Sequence, residues 1–400
     1  MAQRPDTRLH RRVSFCPCPG GPVSTASTAQ VTDAPVTYEY SPTLADHVVG
    51  QLLRLGSVVG SSAAESALYA HIVLESLGDA CGRSLSLPPA SPSFISDDHT
   101  PVEFSLAFRP DAAPALRVLV EPGCTAGDLA DNGRQGLAAI RDMARRWDFS
   151  TTQLDRIEDL FLPASPQGHL ALWYALELRP GGVPGVKVYL NPAAAGPEHA
   201  TATVQEALHR LGHRQAFEAL PDTTGYPFLA LDLGTWDTPR VKVYTAHPSL
   251  AASEAYALNR AQPGPAREDV EAFFHLAAEG RQPTGSGGRP EPRLARRPAL
   301  TCHSFTETTS GRPSGFTLHV PVRDYVRDDE EALARATAVL TRFGMDPSVL
   351  RRALAALSTR QLSDGAGLIA YLALAHERDR RPRITAYVSS EAYAVRPPAQ

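Results

Sequence analysis

Short segments in which apolar and polar residues alternate at period two recur along the chain, and between them the apolar period lengthens to that of a helix. The first pattern marks half-buried strands and the second amphipathic helices. Segments 102–108 and 116–122 predict one strand pair, and the short connection 109–115 predicts an antiparallel hairpin. Segments 170–178 and 185–190 predict a second pair around the turn Arg179-Pro180-Gly181-Gly182-Val183-Pro184. Segments 228–233 with 240–244, and 299–306 with 315–322, predict two more, and 383–388 is a further strand. A helix is expected from 41, on the stripe Leu44, Val48, Val49, Leu52, Leu53 and Leu55. Others are expected at 63–77, 133–147, 151–161, 202–219, 266–279, 329–343, 347–356 and 364–376.

The unit is thus two antiparallel strands followed by helices, with second strands starting near 117, 186, 240, 315 and 383. One unit alone cannot bury both faces of its sheet. Units closed into a ring can, with helices outside and polar residues within. The expected class is α+β: a ten-stranded antiparallel β-barrel surrounded by α-helices. The pairing of 383–388 is left open, between the region of Thr301 and a C-terminal strand.

In Arg240-Val241-Lys242-Val243-Tyr244 the alternation puts two cations and a phenol on one face. The other second strands add Arg117, then Lys187 and Tyr189, then Thr317 and His319, then Arg383, Thr385 and Tyr387. Cations beside Val are common on solvent faces of sheets, but recurrence on several strands argues for a shared lumen. Such a lumen suits an allylic diphosphate. Arg and Lys stabilise the leaving diphosphate, and phenol rings shield a carbocation from water. Glu103 carries the opposite sign; it accepts a hydrogen bond from an N–H of a second substrate or acts as a base.

Composition narrows the reading. A net charge of −4 argues against nucleic-acid binding by bulk basicity. No run of apolar residues has the length of a membrane span or signal peptide. Five scattered cysteines, with Cys16 and Cys18 too close for CxxC, suggest reduced thiols in a cytoplasmic protein and no zinc site. Residues 1–36, rich in Pro, Ser, Thr and Arg, are expected to be a disordered tail before a single domain at 37–397, and 280–298 a flexible loop. Asp97-Asp98-His99-Thr100-Pro101 lacks the third Asp of a DDxxD magnesium site. So does Asp328-Asp329-Glu330-Glu331-Ala332, better read as a helix start.

Five runs, in this order, resemble the indole prenyltransferases of the dimethylallyltryptophan synthase type. They are Thr100-Pro101-Val102-Glu103-Phe104-Ser105, Leu116-Arg117-Val118-Leu119-Val120-Glu121-Pro122, Val186-Lys187-Val188-Tyr189, Arg240-Val241-Lys242-Val243-Tyr244 and Pro321-Val322-Arg323-Asp324-Tyr325. Ser96 to Ser105 and Val388-Ser389-Ser390-Glu391-Ala392-Tyr393 resemble the bacterial tryptophan 6-dimethylallyltransferases. The resemblance implies a prenyltransferase barrel of repeated αββα units. It also implies dimethylallyl transfer from dimethylallyl diphosphate to an indole carbon of L-tryptophan, C6 favoured, with no cofactor and no essential metal. Arg117, Lys187, Arg240, Lys242, Thr317 and Arg383 would bind diphosphate, and Tyr189, Tyr244 and Tyr387 would shield the cation. Glu103 would be catalytic by binding the indole N–H, with Phe94, Ile95, Trp173 and Tyr174 in the acceptor pocket; His319 is by its own chemistry a catalytic candidate as proton acceptor, against the alternative of a buried hydrogen-bonded histidine with no proton role.

The chain departs from the C4-prenylating fungal pattern. It has Thr317 and His319 where that pattern has Gln or Lys and Tyr. It has Trp173 and Tyr174 near the position of a proton-accepting lysine. No obvious equivalent is seen of the arginine that grips the substrate carboxylate before the third strand pair in that pattern; 226–229 occupies that region. Two other readings remain: the same chemistry on another indole or a tryptophan-containing peptide, and a non-catalytic barrel that binds a phosphorylated prenyl ligand.

Overall fold

The computed structural model describes residues 41–179, 181–234, 239–280, 291 and 293–399. The expectations for the tail 1–36 and for 281–290 of the loop lie outside the described residues.

Ten strands close into one barrel, each antiparallel to its neighbours and taken in chain order around the ring. They are β1 Val102–Arg109, β2 Ala112–Val120, β3 Leu172–Glu177, β4 Gly185–Leu190, β5 Leu229–Leu233, β6 Val241–His247, β7 Ala299–Phe305, β8 Gly315–Val320, β9 Ile369–Glu377 and β10 Arg383–Ser389. The last pairs with the first, Ser105 opposite Tyr387, so the sheet has no free edge.

Outward-facing residues such as Phe104, Leu106, Val118, Val188 and Leu231 are fully buried against the helices. Burial of one apolar face per strand against a ring of helices is the main favourable contribution to this architecture. The principal helices are α1 Leu44–Val59, α2 Ala63–Leu77, α3 Leu129–Trp147, α4 Ala200–Arg210, α5 Arg267–Glu279, α6 Asp329–Arg342 and α7 Ser348–Leu357. Thr43 and Ser62 start the first two with reciprocal capping boxes. Asp328 caps α6 by accepting the Glu331 N–H, in agreement with its reading as a helix start. Among the described residues no helix is long and apolar enough to cross a membrane.

Three expectations fail. The helix expected at 151–161 is two separate single turns, Thr152–Asp155 and Glu158–Phe161. The helix expected at 364–376 is strand β9, which supplies the missing partner of β10 and also pairs with β8. Its run Ile369-Ala370-Tyr371-Leu372-Ala373-Leu374-Ala375 is apolar on both faces, so periodicity does not separate strand from helix. Alanine, with its helix propensity, occupies lumen positions 373 and 375, where a larger side chain would fill the barrel. The helix expected at 202–219 ends at Arg210, because Gly212 takes a left-handed backbone at φ 86° and turns the chain.

β9 is pinned at its start by Asp329, which is fully buried at the head of α6. One carboxylate oxygen accepts the Gly367 and Ile369 N–H groups at 2.9 and 3.3 Å, and the other accepts from Arg360 at 2.5 Å. Removing the carboxylate orphans two backbone donors in the core and leaves Arg360 with Glu391 as its carboxylate partner. Asp329→Ala is therefore expected to destabilise the fold by roughly 3 kcal/mol, measured as a lowered urea midpoint. An unchanged midpoint would show that β9 is held by its strand neighbours alone.

Candidate active site

The lumen is built by rows of cross-strand partners. One row runs Tyr371, Tyr387, Ser105, Arg117, Glu177. A second runs Leu119, Ala175, Lys187, Asp232, and a third Trp173, Tyr189, Ala230, Lys242. A fourth runs Tyr244, Cys302, Thr317, Ala375, Arg383. Alanines sit between the long side chains in these rows and leave them room.

At one end of the lumen the cations meet three carboxylates. Arg117 donates through Nε and Nη2 to Glu177 at 2.8 and 2.6 Å. Arg240 donates to Asp232 at 2.5 Å and to Glu377 at 2.9 Å. Lys187 lies 3.3 Å from Asp232, and Arg109 and Arg383 lie 3.2 and 3.6 Å from Glu377. Burial alone would raise these carboxyls, but the cations hold all three below the usual carboxylate range. Lys242, 5% exposed, makes no ion pair among the described residues. Burial first, then Lys187 and Arg240, push its ammonium well below the ordinary lysine value. Arg383 falls to about 10 through burial and the nearby Arg117. This end therefore sets six cations, Arg109, Arg117, Lys187, Arg240, Lys242 and Arg383, against three carboxylates in a low-dielectric site, a strong electrostatic demand for a polyanion.

Above the cations the rings form a collar. Tyr189 and Tyr244 are 6.0 Å apart, Tyr244 and His319 5.8 Å, and His319 and Tyr387 5.9 Å between centroids. Burial raises all three phenols, so they stay neutral. Tyr387 Oη lies 3.4 Å from His319 Nε2. Burial, then Lys242, lower this imidazole to about 3.

A second cavity opens on the far side of the collar. It shares Glu103, Leu119, Tyr189, Tyr244, His319 and Tyr387 with the first, and adds Phe94, Ile95, Trp173, Phe228, Leu300, Arg297, Arg323 and Tyr371. Glu103 stands at the junction, 7% exposed; burial raises its carboxyl to about 8 against the opposing pull of Arg323.

Alternation thus brings together Glu103, Arg117, Lys187, Tyr189, Arg240, Lys242, Tyr244, Thr317, His319, Arg383 and Tyr387 around one cavity. Ile95 and Trp173 line the second cavity, and Phe94 lies at its half-exposed rim against His169. Tyr174 is a correction. It follows Trp173 on β3, so the pleat turns it outward into the core between barrel and helices. Sequence reasoning missed Glu177, Asp232 and Glu377. The first two share the lumen face of Trp173 and of Phe228, a signal that period two carries; Glu377 lay beyond the segment misread as helix. It also missed Phe228, Tyr371, Arg297 and Arg323.

A closed ten-stranded barrel ringed by helices, with cations, phenols and a carboxylate stacked along its lumen, defines an aromatic prenyltransferase barrel. The chain belongs to the tryptophan dimethylallyltransferase family, whose model matches residues 61–352. It is 63% identical to prenyltransferase PriB, solved as a ternary complex with L-tryptophan and dimethylallyl thiolodiphosphate, over 90% of this chain and 99% of that one, with a TM-score of 0.86. It is 61% identical to the 5-dimethylallyl tryptophan synthase of Streptomyces coelicolor, over 90% and 99% of the two chains, at a TM-score of 0.84. The 6-dimethylallyltryptophan synthase of Micromonospora olivasterospora is 38% identical over 89% and 99%, at a TM-score of 0.79.

A polyanion beside Lys242 favours its protonated form. Inorganic pyrophosphate should therefore bind with net proton uptake, and more weakly as pH rises through the titration of free Lys242. Calorimetry in buffers of different ionisation enthalpy measures the uptake. Lys242→Met is expected to reduce the uptake and weaken binding about tenfold, near 1.4 kcal/mol. Undiminished uptake in the variant would remove Lys242 from the anion site.

Proposed function

We propose that the protein transfers the dimethylallyl group of dimethylallyl diphosphate to a benzo-ring carbon of L-tryptophan. The observation that carries this reading is the order along the lumen. A cation cluster lies at one end, a neutral aromatic collar follows, and a buried carboxylate with an apolar-walled second cavity lies beyond. The relatives solved with L-tryptophan and a dimethylallyl thiolodiphosphate support both substrates.

In this mechanism the C–O bond of the allylic diphosphate breaks and its electron pair leaves with the diphosphate. Lys242, Lys187, Arg117, Arg240 and Arg383 stabilise that charge where it develops. The allyl cation passes into the collar, where the faces of Tyr189, Tyr244 and Tyr387 stabilise it and exclude water. Glu103 accepts the indole N–H and enriches the ring. A ring carbon then attacks, forming the new C–C bond. The proton on that carbon goes to His319, which is neutral at ordinary pH. An arenium ion is acidic enough for so weak a base. The lumen cations supply the charge that a divalent ion supplies elsewhere, so we infer turnover without metal. We place the reaction in the cytoplasm, in keeping with the free thiols Cys81, Cys124 and Cys302.

The fungal signals for C4 attack are absent, and the relatives are named for C5 and C6. The C6 preference rests on the subgroup resemblance; the structure of a 5-synthase at 61% identity makes C5 its direct competitor. Product NMR decides between the two carbons.

Prenylated tryptophan is expected to form from the two substrates in excess EDTA, and strict dependence on magnesium would contradict this. Activity should rise with pH through about 8, as Glu103 becomes the carboxylate that the mechanism needs. Glu103→Gln should lower kcat at least roughly a hundredfold and abolish that limb; a retained limb assigns it to another group. His319→Gln should raise the primary isotope effect for tryptophan deuterated at the attacked carbon, and an unchanged effect excludes it as proton acceptor.

A further inference from the structure

The run Pro321-Val322-Arg323-Asp324-Tyr325 has no part in the chemistry above, although Arg323 lines the acceptor-side cavity. Residues Val322–Asp324 form one 3₁₀ turn leading away from β8. Arg323 is 4% exposed. Its Nη2 lies 3.2 Å from Asp97, while Nε and Nη1 have no hydrogen-bond partner among the described residues. Its guanidinium is 5.3 Å from the centre of the Tyr371 ring, which fixes its plane. Buried guanidinium donors left unpaired are costly, and a planar fork of this kind matches a carboxylate.

The surroundings repeat the demand. Arg297 lines the same cavity, donates through Nη2 to Asp97 at 3.1 Å and forms an ion pair with Asp324. Arg396 lies 3.7 Å from Asp97 and 2.9 Å from Asp324. Three guanidiniums, Arg297, Arg323 and Arg396, thus share two carboxylates, Asp97 and Asp324. One positive charge is left over, beside the cavity wall. On the opposite side, 226–229 brings no cation: Phe228 packs against Trp173 with centroids 5.5 Å apart.

We propose that Arg323, assisted by Arg297, holds the α-carboxylate of the amino-acid acceptor. This rests on the reading of L-tryptophan as acceptor and adds the group that orients it. Glu103 takes the indole N–H while Arg323 takes the other end of the molecule, so the two together set which ring edge faces the collar.

The test compares L-tryptophan with tryptamine, which lacks the carboxylate, in the wild-type protein, Arg323→Leu and Arg323→Lys at saturating dimethylallyl diphosphate. The ratio of kcat/KM for tryptophan to that for tryptamine should favour tryptophan in the wild type. It should fall roughly 30-fold in Arg323→Leu, the worth of a charge-assisted hydrogen bond, mainly through KM for tryptophan. Arg323→Lys should recover part of the ratio, and serves alone if the leucine variant does not fold. If activity on both acceptors falls together and the ratio stays constant, Arg323 only supports the fold and the proposal fails. If the wild type prenylates neither acceptor, the functional reading fails and the proposal with it.

Discussion

Cations crowded into one buried lumen repel each other and lose hydration, and the barrel holds them because three carboxylates answer part of their charge. Glu177, Asp232 and Glu377 do this: Glu177 pairs with Arg117 and Arg179, Asp232 with Lys187 and Arg240, and Glu377 with Arg109, Arg240 and Arg383. Such buried pairs contribute little net stability, since desolvation consumes most of their attraction, but losing one partner is costly. Their value here is positional. They hold arginines from β2, β6 and β10 in fixed directions and leave Lys242 as the buried cation whose charge is least compensated. The stability of the lumen and the affinity for a leaving diphosphate proposed above are two sides of the same incomplete neutralisation.

The pleat makes that arrangement possible. A barrel this wide needs inward residues of alternating size. Ala175, Ala230, Ala373 and Ala375 stand beside Lys187, Lys242, Thr385 and Arg383 in the cross-strand rows. Outward, the same strands present Val, Leu and Phe to the helices. Two strand residues apart, the inward face changes from cation to phenol: Lys187 to Tyr189, and Lys242 to Tyr244. Because this step recurs from strand to strand, the lumen is layered, as the proposed separation of ionisation from ring attack requires.

Much of this was legible in the sequence, because period-two alternation is a local property. Arg240, Lys242 and Tyr244 declare their shared face within five residues, and the recurrence of the pattern declares the ring. What escaped was non-local or ambiguous. β9 carries leucine outward and alanine inward, so its alternation is between two apolar sizes. Tyr174 was drawn into the pocket by its neighbour Trp173, against the pleat. Arg323 lies in a single turn without periodicity, and its role depends on Asp97, more than two hundred residues earlier in the chain. The neutralising carboxylates were hidden for a simpler reason: a list of cations does not show how they are balanced.

The central claim is that the cation cluster breaks the allylic C–O bond before the ring attacks. Isotope scrambling in dimethylallyl diphosphate labelled with ¹⁸O at the bridging oxygen tests it most directly. Glu103→Gln, with tryptophan bound, slows ring attack and gives the cation time to return to the diphosphate. The account predicts that label migrates to non-bridging oxygens in the recovered substrate, in the presence of EDTA. Retention of the label at the bridge, in a variant that still binds the diphosphate and turns over slowly, would contradict it.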